Sequence, residues 1–529
     1  MTSLADGEWH RLHPATPLLR GGIFVFAALG FFLANLRERL IDVFFGVPVG
    51  SGDPIDELYR RGAIGWALLA IVAILIVILI GFYLSWRMHT FRVNEEIVEV
   101  RSGIVFRSNR KARLDRIQGV NIQRSLVPRL FGAARLEVSV AGQDANVQLA
   151  YLGSALADEL RRDILSLASG ARRAGERVAP EAGSLEADSL EAGSPEAGST
   201  EAGSPEAGTT MGDFARDRVT DFLAPELDPD AAPPESVVRI PPGRLLGSIV
   251  LSGFTVFLVI AAIAAIVSGA VAESGWLPLA VLPAVIGTVG FYVSRLTRSL
   301  RFTIAGTPDG VRVGFGLFST SNETLPPGRI HAIGISQPLL WRPFGWWQVR
   351  INKAGRSSNQ GAAGEASTTV LPVGTDADVA RVLELILPGY DAEEQRALID
   401  HGMRSRGGSD GFVNAPRRAA WLRPFSWRRT GYTVSAGAAL LRRGIVSREL
   451  ILVPLARVQS VRIDQGPIQR RLGLASAQLH TVAGPVTASL GVVDAEEAVR
   501  LFETVAAGAV TYATSDTSHR WNRKTGAPE

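Results

Sequence analysis

The chain has 529 residues, 47% of them hydrophobic, with a mean hydropathy of +0.17 and no cysteine. Disulfides, thiolate zinc sites, iron–sulfur clusters and a cysteine nucleophile are therefore excluded. The formal charge of +4 hides an acidic stretch: residues 175–235 hold fifteen Asp and Glu against three Arg, a net of −12, which leaves +16 on the remainder.

A basic body suits an anionic surface, and the apolar segments of this chain make that surface a lipid bilayer and not nucleic acid. The first segment, 21–36, is uncharged but short of the roughly 20 residues that cross about 30 Å of hydrocarbon. It either spans with Arg20 and Arg37 reaching to the headgroups or lies in the interface. Residues 62–86, 245–272 and 274–294 carry no charge and are each long enough. They make two transmembrane hairpins, 18–86 and 243–295.

Arg239, Arg244, Arg295, Arg298 and Arg301 flank the second hairpin, whose turn holds only Glu273. The positive-inside rule puts both flanks in the cytoplasm, and Arg87, Arg92 and Arg101 at the exit of the first hairpin place it the same way. The expected location is the plasma membrane, multi-pass, with both termini cytoplasmic. None of the spans has an internal Asp, Glu, Lys, Arg or His, so they read as anchors and not as a transport path.

After each hairpin, and once more without one, the same pattern returns. Gly103-Ile104-Val105, Gly316-Leu317-Phe318 and Gly444-Ile445-Val446 are each followed thirteen residues later by an arginine: Arg116, Arg329, Arg457. Thirteen further on stand Arg129, Arg342 and Arg470, and three beyond those Gly132, Gly345 and Gly473. Between them Val120/Ile122, Ile333/Ile335 and Val461/Ile463 alternate with polar or small residues, the period of a half-buried strand. Each copy closes on a helical pattern, 154–169, 375–387 and 494–508, with Ser, Thr or Asp at the N-cap. Alternating strands followed by one amphipathic helix predict a small β-barrel or sandwich plugged by that helix.

Six acidic pentads of the type EAGSP, from Glu181 to Thr210, lie between the first copy and the second hairpin. Their composition predicts a disordered linker. The third copy is preceded by APRRAAWLRPFSWRR, 415–429, in place of a hairpin. Its Trp427-Arg428 stands seventeen residues before Gly444, as Trp86-Arg87 stands before Gly103 at the membrane exit. Two readings stand for this stretch. Trp421, Phe425 and Trp427 with Arg428 and Arg429 form a membrane or partner surface, or the aromatics pack the first strand of the barrel.

The loops around Arg129, Arg342 and Arg470 carry bulky apolar neighbours, and Leu126, Trp341 and Ile468 are the residues that would dip into lipid. The alternative is a structural turn in which Gly132, Gly345 and Gly473 supply a backbone conformation other residues avoid. Arg116, Arg329 and Arg457 then read as fold determinants that pair with a carbonyl or an acid. No P-loop, dinucleotide fingerprint, nucleophile elbow or metal-ligand spacing is present, so neither enzyme, metal nor cofactor is expected.

Arg457, Gln459, Val461, Gln465, Arg470, Gly473 and Gly484 together resemble the bacterial pleckstrin-homology-like (PH-like) domain of membrane proteins. The first copy departs from the pattern at Arg124 and the second at His331. The resemblance implies a seven-stranded barrel capped by a C-terminal helix, in several copies behind paired transmembrane helices, and it brings no catalytic residues. The expected fold class is thus an α+β membrane protein of four transmembrane helices and three PH-like barrels. The barrels occupy 87–172, 296–390 and 417–510, with a linker at 173–238, a connector at 391–416 and a disordered tail at 511–529. The expected function is a non-enzymatic scaffold at the inner leaflet, with a protein partner or a second copy of the chain, in envelope protection against membrane stress. Direct binding of anionic phospholipid is the alternative, and a transporter or membrane-enzyme component the second one.

Overall fold

The computed structural model describes residues 86–103, 107–140, 146–168, 238–272, 277–307, 310–317, 319–326, 328–354, 368–387 and 393–516, with 6–13 and isolated positions between 16 and 84. Segment 21–36, the acidic pentads and residues 517–529 lie outside these residues, while 511–515 of the expected disordered tail continue the last helix.

Each repeat builds seven strands. The first has β1 (His10–Arg11), β2 (Thr90–Val93), β3 (Ile97–Ser102), β4 (Ser108–Arg113), β5 (Ile117–Arg124), β6 (Ala133–Val140) and β7 (Val147–Gly153). The second has β8 (Val238–Arg239), β9 (Thr303–Thr307), β10 (Gly310–Phe315), β11 (Thr320–Leu325), β12 (Ile330–Pro338), β13 (Trp347–Lys353) and β14 (Thr369–Gly374). The third has β15 (Val413–Asn414), β16 (Gly431–Ser435), β17 (Ala438–Arg443), β18 (Ser447–Pro454), β19 (Ser460–Asp464), β20 (Leu474–His480) and β21 (Ala488–Asp494).

The strand count is the one the resemblance implies; the closure is not. In no repeat do the fourth and fifth strands pair with each other. The last three strands of one repeat instead join the first four of the next, giving seven-stranded sheets β7-β6-β5-β11-β10-β9-β8 and β14-β13-β12-β18-β17-β16-β15. A four-stranded sheet β1-β2-β3-β4 and a three-stranded sheet β19-β20-β21 remain at the two ends. The register is the same at both seams. Asn121 faces Glu323 and Gly334 faces Ile451, so the residue five after the repeat arginine meets the residue seven after the turn glycine each time.

Helices α1 (Leu126–Leu130), α2 (Ser154–Ala168), α3 (Pro242–Val250), α4 (Gly253–Ala272) and α5 (Leu277–Ser299) come next in chain order. They are followed by α6 (Asp376–Ile386), α7 (Glu393–Arg404), α8 (Pro467–Arg471) and α9 (Ala495–Ser515). The capping helices α2, α6 and α9 start where the sequence places them. Thr375 accepts from the Asp378 amide while the Asp378 carboxylate accepts from Thr375 N, a reciprocal cap. Asp494 accepts from Glu496 N at 3.1 Å. The connector holds α7, whose Ile399 and Met403 pack into the core of the second repeat.

The two seams differ in chemistry. At the second, Leu440, Leu450 and Leu452 of the third repeat face the core of the second, while Leu441, Ile451 and Val453 face their own. Strands β17 and β18 are therefore buried on both faces. At the first seam the contacts are polar: Ser321 Oγ donates to Asn121 at 2.9 Å, and Arg124 and Arg312 reach Asp158 on α2.

Taken singly, no described helix is long and apolar enough to cross a membrane. Helix α3 and the Gly253–Ala265 part of α4, bent by 46° at their junction, are so as a pair. Helix α4 has no charged residue, and Phe257, Ile260 and Ile263 on it are exposed.

Candidate membrane-facing edge and the domain seams

The turn glycines and the apolar loops lie along one edge of the array. Gly316 N donates to Leu300 O at 2.8 Å and Leu317 N to Thr297 O at 3.0 Å, which sets this turn against the end of α5. Strand β5 ends with Arg124 opposite Thr320, so α1 begins beside the same turn. At the second seam Arg342 Nη2 donates to the carbonyls of Ile445 and Val446, joining its loop to the Gly444 turn. Arg418 donates to Gly473 O and to Asp494, bringing the 3₁₀ turn Arg417–Trp421 next to α8.

Along this edge large apolar side chains stand in the open. Leu130 and Phe131 belong to the first repeat, Leu339 and Phe344 to the second, Val446 and Ile468 to the third. Trp421 is 84% exposed and Phe425 79%. Monomeric soluble proteins rarely line up so much apolar surface without a partner or a membrane.

The other residues singled out from sequence fall elsewhere. Trp341 is only 6% exposed and packs in the core of the second repeat, with Trp346 edge-on at 6.4 Å. Arg129 is buried. Arg429 is also buried, and its guanidinium donates to the carbonyls of Gly402, Met403 and Ser405 at the end of α7. Burial first, then Arg442, Arg448 and Arg342, push its pKa down to about 9. Arg129 and Arg429 thus present no surface to lipid, and Trp341 does not dip into the bilayer from this edge. Trp427 is half-buried beside the cluster of Ala415, Ala419, Leu474 and Val492, with Arg428 over its ring at 5.4 Å. Arg470 is exposed. The side chain of Leu126 lies outside the described residues.

The repeat glycines have one conformation: φ is +64° at Gly132, +62° at Gly345 and +61° at Gly473, a left-handed region that L side chains avoid. One of the repeat arginines reaches across a seam. Arg329 donates to Asp115 O of the preceding repeat at 3.0 Å, Arg457 bonds Asp516 at 2.5 Å, and Arg116 is exposed. Between them His331 is driven down to about pKa 4, by burial first and then by Arg457 and Arg329. It is neutral at physiological pH.

Sequence reasoning missed Val446 and Phe131 on the exposed edge, and the Gly247–Trp346 contact that docks α3 on the second repeat. The first two sit in the turn and loop whose spacing defines the repeat, so the position was marked although the exposure was not.

Three repeats of seven strands with a capping helix, joined through shared sheets, define a PH-like array. The Bacterial PH domain family matches residues 39–168, 245–388 and 412–509, and the chain belongs to that family. It is similar to the UPF0699 transmembrane protein YdbT of Bacillus subtilis (strain 168), 22% identical over 407 residues that cover 73% of this chain and 71% of the relative. No solved structure matches the chain.

Proposed function

We propose that this is a non-enzymatic integral membrane protein that holds three PH-like domains in one row against the inner leaflet as an assembly scaffold. The hairpins at 18–86 and 243–295 anchor it, and the termini are cytoplasmic. The observation that carries this reading is the exposed apolar edge. Loops from all three repeats present Leu130, Phe131, Leu339, Phe344, Val446 and Ile468 on the side where α5 meets the Gly316 turn. The name of the Bacillus relative, a transmembrane protein, agrees with it. Seams of identical register fix the repeats relative to one another, so partners docked on different repeats are held together and gain from a high effective concentration. Protection of the envelope against membrane stress is the setting such a scaffold fits.

The chain has no cysteine, so single cysteines can be placed without background. Phe425→Cys, Val446→Cys and Ile468→Cys, each labelled with a fluorophore in the full chain in lipid nanodiscs, are expected to be quenched by lipid-borne nitroxides and shielded from iodide. Asp115→Cys, exposed beyond the other end of β4, is expected to behave in the opposite way. Equal access of iodide to all four positions would remove the membrane-facing assignment.

A further inference from the structure

A cavity of about 240 Å³ opens where the base of the second hairpin meets the barrel of the second repeat. Helices α3 and α5 form one wall, and strands β13 and β14 form the opposite one. Its lining is divided by chemistry. Phe291, Phe302, Phe315 and Leu245 make an apolar side, with Phe302 and Phe315 stacked at 5.7 Å. Arg295, Ser294 and Ser299 bring a cation and two hydroxyls, for which the described residues provide no ion pair or hydrogen bond. Trp341, 6% exposed, also lines the cavity, and its buried indole Nε1 has no acceptor among the described residues.

A buried N–H without an acceptor is costly, so such a group is normally met by a water, an ion or a ligand. Here the missing partner must accept hydrogen bonds, carry negative charge for Arg295 and bring apolar atoms for the phenylalanines. We propose that this cavity binds the headgroup of a single anionic phospholipid. The phosphate oxygens accept from Arg295 and the Trp341 indole, and the glycerol end lies against Phe302 and Phe315. The volume is below the roughly 300–1,000 Å³ that encloses a drug-sized ligand, so the acyl chains must leave the cavity. Phe291, on the same helix one turn toward the apolar end of α5, gives them a path along the hairpin. The assignment rests on the reading that α4 and α5 enter the bilayer.

The test uses the full chain, purified in detergent, stripped of lipid and incubated with phosphatidylglycerol. Lipid retained after gel filtration is counted by mass spectrometry. About one phosphatidylglycerol per chain is expected. Arg295→Gln is expected to lower retention at least tenfold, and Trp341→Phe, which keeps a ring in place and removes the N–H, several-fold. The thermal midpoint checks that each variant is folded. Glycerol 3-phosphate and inorganic phosphate at millimolar concentration are expected not to displace the lipid. Retention unchanged in both variants, or displacement by inorganic phosphate alone, would overturn the proposal. Cysteines placed along α4 separate the two readings. If they are open to iodide in nanodiscs, the membrane placement itself fails; if they are shielded and Arg295→Gln still retains lipid, only the cavity assignment falls.

Discussion

His331 shows how a single position reports the seam around it. Its imidazole titrates near 6.5 in the unfolded chain and near 4 in the folded one, because burial and then Arg457 and Arg329 disfavour the cation. Between those values the unfolded chain binds the extra proton, so stability falls as pH drops from about 6.5 to 4, by up to about 3 kcal/mol. His331→Gln is expected to flatten the fall in urea midpoint over this range relative to the parent protein. Identical pH profiles for the two would mean that this imidazole is not held neutral. Legibility at this scale divides by locality. Gly132, Gly345 and Gly473 were readable because a left-handed residue after a short helix is a local demand, written at one fixed offset in each repeat. Arg429 was not readable. Its acceptors are carbonyls at the end of α7, more than twenty residues away, in a stretch that sequence marked only as a connector. An arginine beside a tryptophan looks the same in sequence whether it faces phosphate or caps a buried helix.

Strands were legible where one face is buried and illegible where two are. Val461 and Ile463 alternate with exposed Ser460, Arg462 and Asp464, and β19 is an end strand. In β18 the run Leu450-Ile451-Leu452-Val453 has no alternation, because even positions fill the core of the second repeat and odd ones that of the third. Such a continuous apolar run is the mark of a strand covered on both sides, and it was the available sign that repeats share strands. The polar first seam carried no comparable sign. The contrast sets the energetics. Leu450→Ala is expected to cost about 2–5 kcal/mol and to lower the melting of the second and third repeats together, since one side chain serves the joint. Ser321→Ala, which loses the bond to Asn121, is expected to cost about 0.5–1.5 kcal/mol. Hydrogen exchange of the intact chain reads both: faster exchange in β12 and β18 alike for the first, and a change confined to β5 and β11 for the second. Exchange confined to the third repeat in Leu450→Ala would contradict a shared core.

At the scale of the whole molecule, the array ends where its chemistry changes. Strand β4 carries Arg110, Lys111 and Arg113, and its sheet buries Glu99 on the outer side. Burial opposes that charge, but Asn109, Arg92, Lys111 and Arg101 together hold the carboxyl below its ordinary value. In the third repeat the equivalent strand is apolar on both faces. Charged edges of this kind discourage further strand addition, and polar outer faces are how repeat arrays terminate. The described residues thus hold two seams, with the apolar loops along one side of the array. The most direct test of this account is disulfide trapping in the full, otherwise cysteine-free chain. If strands are shared between repeats, Gln123→Cys with Ser321→Cys, and Ser336→Cys with Glu449→Cys, cross-link within one chain, because these residues are paired across the seams. If each repeat were instead a closed barrel, its fourth and fifth strands would pair with each other. Ser321→Cys would then cross-link with Ser336→Cys while both seam pairs stayed reduced, and that result would contradict the account.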